Sequence, residues 1–260
     1  MRVSVVLRTC DKTNVHTDWR VRYCNKAKDE VIQKCVKSLI NTIKAVNGHD
    51  VELVILDDHS SESTIAWLVD QVSQLSNAEL INLPEVGYNY SAHQQFLLCR
   101  DTNADLVYSV EDDYLHCPTA LQEMLDSYQI FNERLSGRET VIYPFDEPTE
   151  YYPPNEKSYV VHGSARHWRT GSYTTNVMLA RPQLFKDHWL LFETLALKYN
   201  GDYLKPRSEH YEESNTIKNI WTHGYAIRFS PIPSLALHMQ FDPQKDPYID
   251  WQYWWDNYTQ

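Results

Sequence analysis

Positive charge is in short supply in this sequence. Its 260 residues include 24 lysines and arginines against 35 aspartates and glutamates, a formal net charge of −11. Nucleic-acid binding draws on a basic surface that displaces counterions from phosphates, so a chain this acidic is poorly steered toward DNA or RNA. No apolar run approaches membrane-spanning length, which argues against a transmembrane helix. Strand-like sequence begins at Arg2, which argues against a cleavable signal peptide. The five cysteines, Cys10, Cys24, Cys35, Cys99 and Cys117, are odd in number and contain no C-x-x-C pair. They read as reduced thiols of a cytoplasmic protein, with no zinc or dithiol spacing. No P-loop and no G-x-G-x-x-G is present, and the Ser-His pairs lack a nucleophile elbow.

What remains is a chain able to bury a core. Hydrophobic residues make up 42% of it, which excludes disorder as the default reading. Eight tryptophans and 18 tyrosines suit flat amphipathic ligands such as sugars and bases, or equally a tyrosine-rich core. No repeat and no linker divides the 260 residues, so a single domain is expected.

Strand-like and helix-like segments alternate. RVSVVL (Arg2–Leu7), VELVIL (Val51–Leu56), Glu79–Leu83 and Ala104–Val110 read as strands. Between them, Asp29–Val46, Thr64–Leu75 (capped by Ser61 or Ser63) and Ser91–Cys99 read as helices. Further along, Pro118 opens a helix to Leu135, and Val141–Phe145 is strand-like. The stretch from Asp146 to Lys157 reads as a loop, and an apolar run at Val177–Ala180 follows. Helices are predicted over Pro182–Tyr199 and Glu212–Thr222. A strand at Tyr225–Phe229 then ends before Pro231 and Pro233, and a short one spans Ser234–Met239. The alternation predicts an α/β fold with a mixed, mostly parallel sheet flanked by helices. Ligands of such sheets sit beyond the carboxyl ends of the strands. Three polar clusters fall there: Arg8-Thr9, Asp57-Asp58 and the triplet Glu111-Asp112-Asp113.

The triplet ends the stretch LVYSVEDDYLHCP. Alternate strand residues face the same side, so Glu111 and Asp113 converge while Asp112 faces away. Carboxylates so spaced suit Mg²⁺ or Mn²⁺, hard ions that favour oxygen ligands. The competing reading is a solvated acidic turn before the Pro118 helix.

Three stretches in order, VSVVLRTCD, VELVILDDHSSEST and LVYSVEDDYLHCP, resemble the first strand, the Asp-Asp-x-Ser turn and the D-x-D strand of nucleotide-sugar glycosyltransferases of the GT-A fold. The likeness is greatest to the inverting family 2 and covers roughly the first half of the chain. The resemblance implies a nucleoside-diphosphate-sugar donor, a carbohydrate or other hydroxyl acceptor, and Mn²⁺ or Mg²⁺. It divides the chain into a donor-binding half (1–118), an acceptor-binding and catalytic half (119–240) and an aromatic tail (241–260). It further implies that Asp58, with Asp57 beside it, contacts the nucleobase, that Arg8 and Thr9 line the base and ribose, and that Asp112 lies near the ribose. Asp113 would bind the metal, and Glu111 takes the place of the first aspartate of D-x-D.

In the second half, HYEESNTIKNIWTHGYAIRFSP resembles the family's Glu-Asp motif. Glu213 falls on the catalytic-base position, next to Glu212, and Glu209 is close by. A carboxylate there would take the proton of the acceptor hydroxyl as its oxygen attacks the anomeric carbon. His238 falls where transferases of this fold place a late metal-binding histidine. Arg166, His167 and Arg169 form a local excess of positive charge, and Arg166 and Arg169 are candidates for the donor diphosphate. The tail residues Trp251, Tyr253, Trp254 and Trp255 stack on acceptor sugars or pack on the domain. A nucleotidyltransferase and a non-catalytic sugar-binding domain are the rival classes. The first would show a glycine-rich basic loop where this chain reads RTCDKTNVHTDWR.

Overall fold

A computed structural model describes residues 1–12, 26–151, 157–173, 175–195, 198–199, 202–203, 216–239 and 249–259. Its first half is a parallel sheet of β1 (Arg2–Thr9), β2 (Asp50–Asp57), β3 (Ala78–Asn82) and β4 (Leu106–Glu111). β1 is buried without interruption from Val3 to Thr9, as expected of a central strand covered on both faces. The covering helices are α1 (Lys28–Lys44), α2 (Glu62–Ser73) and α3 (Tyr88–Asp101). α1 turns Ile32, Val36, Leu39 and Ile43 inward, a stripe at helical spacing. Gln95 straps α3 to the sheet: its Nε2 donates to the carbonyls of Val6 (2.9 Å) and Val110 (2.8 Å).

α4 (Ala120–Arg134) leads into the second half, where the sheet turns mixed. β6 (Thr140–Ile142), β7 (Val160–His162), β8 (His167–Thr170), β9 (Met178–Ala180) and β12 (Ile227–Ile232) complete nine strands in the order β3-β2-β1-β4-β9-β6-β12-β8-β7. Two short strands stand apart from this sheet, β5 (Tyr114–His116) and β13 (Ala236–His238). They pair antiparallel, with Tyr114 opposite His238.

The structure departs from the sequence reading at three places. The helix expected over Pro182–Tyr199 is two helices, α5 (Pro182–Asp187) and α6 (Trp189–Leu195), and Lys198–Tyr199 is strand β10, paired antiparallel with β11 (Asp202–Tyr203). The break lies at His188 (φ −118°, ψ 27°), and beyond it Trp189 packs on His93 and under the Arg100 guanidinium. Tertiary contacts at Trp189 override a periodicity that would continue the helix. The strand expected to stop before Pro231 runs through it, since Pro231 stands opposite Trp168 in β12–β8 pairing. β6 pairs with β12 only over Ile227–Phe229, so Pro231 sits where the strand has one neighbour and its missing N–H costs no ladder bond. Of the helix expected over Glu212–Thr222, residues 212–215 lie outside the described residues, and α7 covers Lys218–Thr222. No helix among the described residues is long and apolar enough to cross a membrane.

A buried histidine makes the fold sensitive to acid. His116 is 1% exposed, and its Nε2 faces the Tyr108 hydroxyl at 2.7 Å. Burial pushes its imidazole down to about 4, because the charged form has no water there. The unfolded chain takes up a proton near pH 6.5 that the folded chain refuses until about pH 4. Stability from this residue is therefore intact above pH 6.5 and falls as the pH drops toward 4, by on the order of 3 kcal/mol in total. Denaturant melts between pH 4 and 7 should show this slope. His116→Gln, which keeps a partner for the Tyr108 hydroxyl, should flatten it.

Candidate active site

The three polar clusters meet at one sheet edge because the strands carrying them run parallel. In register, Arg8 stands opposite Glu111 and Thr9 opposite Asp57. The loops beyond are tied together. Asp58 N–H donates to the Thr9 carbonyl (2.8 Å), and Leu83 N–H to the Asp57 carbonyl (3.0 Å). Asp11 accepts from the backbone N–H of Ser61 (2.9 Å) and from the hydroxyls of Ser61 (2.5 Å) and Thr64 (2.6 Å), joining the end of β1 to the cap of α2. Burial raises the Asp11 carboxyl, but these hydrogen bonds outweigh it and hold the group below the usual range.

Each acid of the first two clusters has a defined place. Asp57 is fully buried; its Oδ2 accepts Ser60 N–H (2.9 Å), and its Oδ1 has no partner among the described residues. Burial pushes this carboxyl up. Asp58 turns both oxygens to Gly87 N–H (3.1 and 3.2 Å). Gly87 has φ 133°, a backbone region that side chains disfavour, so Asp58 fixes a turn only glycine adopts readily. Thr9 is buried, and its hydroxyl has no partner among the described residues.

The acidic triplet splits three ways. Glu111 forms an ion pair with the buried Arg8 guanidinium, which lies over the Tyr88 ring at 4.4 Å. Burial works against the Arg8 charge, but Glu111 and the other neighbouring groups outweigh it and raise the group above its ordinary value. Asp112 faces elsewhere, accepting Cys10 N–H (2.9 Å) and pairing with Lys28. Asp113 Oδ2 faces His238 Nε2 at 3.5 Å, across the β5–β13 pair. The His238 ring is stacked on Tyr114, with centroids 4.5 Å apart and planes 11° apart. Burial lowers its imidazole, but Asp113 reverses that, and the net shift is upward.

No group of three or more His, Cys, Asp or Glu is gathered as a metal centre among the described residues. Asp113 and His238 nevertheless suit two adjacent positions around an ion. Neighbouring ligands of an octahedral cation about 2.1 Å away stand about 3 Å apart, and carboxylate oxygen with imidazole nitrogen is a donor set Mn²⁺ accepts. The Arg8 ion pair already compensates the charge of Glu111.

Arg166 and Arg169 are placed differently from expectation. Arg166 grips Glu123 with two bonds (2.7 and 2.9 Å) and donates to the carbonyls of Pro233 (2.7 Å) and Ser234 (3.2 Å). Arg169 donates to Asp146 (2.5 Å) and to the Glu147 carbonyl (3.0 Å), and stacks over Tyr151. The hairpin that carries them joins the sheet at β8, separated from β4 by β9, β6 and β12, and both guanidiniums are bound to protein partners there. Glu212 and Glu213, the candidate bases, and Glu209 lie outside the described residues. In the tail, Trp255 is 3% exposed and packs with Val31, Cys35, Leu115, Leu237 and Met239, whereas Tyr253 is exposed.

A buried ionic network escaped the sequence reading. The stretch from Asp146 that reads as a loop holds buried Asp146 and Glu147 and a 3₁₀ turn, Pro148–Tyr151. Asp146 pairs with Arg169. Glu150 pairs with Arg169 (3.2 Å) and with Arg228 (2.8 Å). Burial pushes the Asp146 carboxyl up despite the nearby arginine. Arg228, next to Ile227 at the start of IRFSP, is the available signal, since a charge in a strand-like run needs a partner once the strand is buried.

The family model described as glycosyl transferase family 2 matches residues 21–185. Among solved structures, similarity extends to residues 1–349 of TarS from S. aureus (14% identity, 88% of this chain and 58% of that one, TM-score 0.48). It extends also to the mannosyltransferase PcManGT from Pyrobaculum calidifontis, in complex with GDP-Man and Mn²⁺ (12% identity, 87% and 56%, TM-score 0.48). A third is glucosyl-3-phosphoglycerate synthase from Mycobacterium tuberculosis in complex with UDP (12% identity, 87% and 68%, TM-score 0.44). The chain thus spans 58% and 56% of the length of the first two. No curated protein matches it significantly in sequence.

Proposed function

We propose that this chain, which belongs to glycosyl transferase family 2, moves a sugar from a nucleoside-diphosphate sugar to an acceptor hydroxyl with inversion at the anomeric carbon. The observation that carries the reading is the Asp113–His238 pair, set at the same sheet edge as Arg8, Thr9, Asp57 and Asp58. The nucleobase would lie against Asp57 and Asp58 at the end of β2, and the ribose near Thr9, Arg8 and Asp112. Asp113 and His238 would hold Mn²⁺ or Mg²⁺, which supplies Lewis-acid stabilisation of the leaving diphosphate when bound. Arg8 compensates Glu111 and Lys28 pairs with Asp112, whereas Asp113 faces His238, the second donor of the proposed set. Glu213, with Glu212 beside it, is the proposed base for the acceptor hydroxyl. Arg166 and Arg169 drop out of the donor site in this reading, because their donors are engaged elsewhere. The buried thiols of Cys99 and Cys117 suit a reducing compartment, and the reading places the protein in the cytoplasm.

A thermal-shift screen of UDP-, GDP- and dTDP-sugars with and without Mn²⁺ tests the proposal. One donor class should raise the melting temperature only when the metal is present. At a hundredfold excess over Kd the stabilisation is about 2.7 kcal/mol, roughly 5–10 °C for a chain of this size. Absence of a metal-dependent shift with every donor would sink it. NMR of the product's anomeric configuration checks inversion separately.

A further inference from the structure

The loop from Gly171 to Asn176, of which Thr174 lies outside the described residues, is held by side chains instead of a strand partner. Glu150 accepts the backbone N–H groups of Ser172 and Tyr173, both at 2.5 Å. Arg228 donates to the carbonyls of Gly171 (3.1 Å) and Tyr173 (2.8 Å). Trp221 Nε1 donates to the Ser172 carbonyl (3.2 Å), and the Tyr143 hydroxyl bonds both the N–H and the carbonyl of Thr175 (3.2 and 3.0 Å). Buried charge of this kind returns little stability, because desolvation offsets the attraction. Its return here is placement of the loop.

The loop delivers Asn176. The residue is 1% exposed; its Nδ2 donates to the Tyr88 hydroxyl at 3.0 Å, and its Oδ1 has no partner among the described residues. Turning the amide over leaves its NH₂ unmet instead, so one polar end lacks a partner either way. Tyr88 is the ring under Arg8, and the residue is 42% exposed. Asn176 lies two residues before Met178, the end of the β4–β9 pairing, and its bond to Tyr88 links it to the Arg8–Glu111 ion pair. Across the edge the order is β2, β1, β4, β9. A nucleoside-diphosphate sugar is laid out as base, ribose, diphosphate and sugar. With the base at β2 and the diphosphate at Asp113, the sugar falls to the β9 side.

We infer that Asn176 is a specificity-determining residue that hydrogen-bonds a hydroxyl of the transferred sugar. The inference rests on the donor reading proposed above. Calorimetric titration with Mn²⁺ present separates the two, using the nucleoside diphosphate alone and intact donors that share its base but differ in the sugar. If wild-type protein binds none of these, the proposed function fails. If it binds the nucleoside diphosphate, Asn176→Ala should weaken the preferred donor about tenfold and narrow the discrimination between sugars. Its Kd for the nucleoside diphosphate should stay within about twofold of wild type, since no hydroxyl of the sugar is involved. Asn176→Ser, which retains a small hydrogen-bonding group, serves if the alanine variant does not fold. Equal weakening of both ligand types, or no change in either, overturns the assignment.

Discussion

Replacing Asp113 by asparagine is expected to remove the metal-dependent shift with the donor sugar and to lower transfer by about a thousandfold. The reasoning starts from shape. Asparagine keeps the size of the side chain, so the β5–β13 pair and the Tyr114–His238 stack should persist. The anionic oxygen that would hold the ion is lost. A metal supplies several kcal/mol of transition-state charge stabilisation, and each 1.36 kcal/mol is a factor of ten in rate. His238→Gln should cost less, because it weakens one neutral donor and leaves the anionic one in place. The two variants are compared by metal titration of the thermal shift and by transfer rate at saturating Mn²⁺. An Asp113→Asn protein with an undiminished Mn²⁺-dependent shift would remove Asp113 from the metal site.

Gly171→Ala should be strongly destabilising. A Cβ at that position would collide with the Arg228 guanidinium and with both carboxylate oxygens of Glu150. Neither group has room to retreat. Arg228 is fully buried over the Tyr143 ring, and Glu150 is held by two backbone N–H groups and two arginines. Overpacking alone costs about 1–3 kcal/mol, and prising apart a buried ion pair about 3–5 kcal/mol. A loss of about 4 kcal/mol corresponds to roughly 8–16 °C in melting temperature for a chain of this size. The control is Gly48→Ala. Gly48 has φ 76°, and a Cβ there meets nothing within 4 Å, so only backbone strain of about 1 kcal/mol is added. Similar melting temperatures for the two variants would contradict the packing described around Gly171.

The sequence was readable where local pattern and tertiary structure agree. Val5–Leu7 and Leu53–Leu56 are apolar without interruption because β1 and β2 are buried there, and the polar residues after them mark the open edge. Alternation along the triplet does not extend past Glu111, where β4 ends: in the turn beyond, Asp112 faces Cys10 and Lys28, and Glu111 and Asp113 take different partners, Arg8 and His238. That Glu111 is claimed by Arg8 was not legible, because the two meet only through β1–β4 register. The cationic stretch around Arg166 looked like a phosphate loop for the same reason. Its counter-charges, Glu123, Asp146 and Glu150, are remote in sequence or sit in a run that composition reads as solvated. Trp255 could be read either way from the sequence, and the apolar cluster it joins draws on α1, β5 and β13.

The β5–β13 ladder ties the acidic turn to a strand near the end of the chain. Met239 N–H donates to the Asp113 carbonyl at 2.7 Å, and Ala236 faces His116 in the same ladder. Closing so long a loop is entropically slow and comes after local contacts form. The parallel β1–β2–β4 unit can therefore assemble while Asp113 still lacks His238. On the proposed reading, affinity for the ion would rise only once the distal strand has docked.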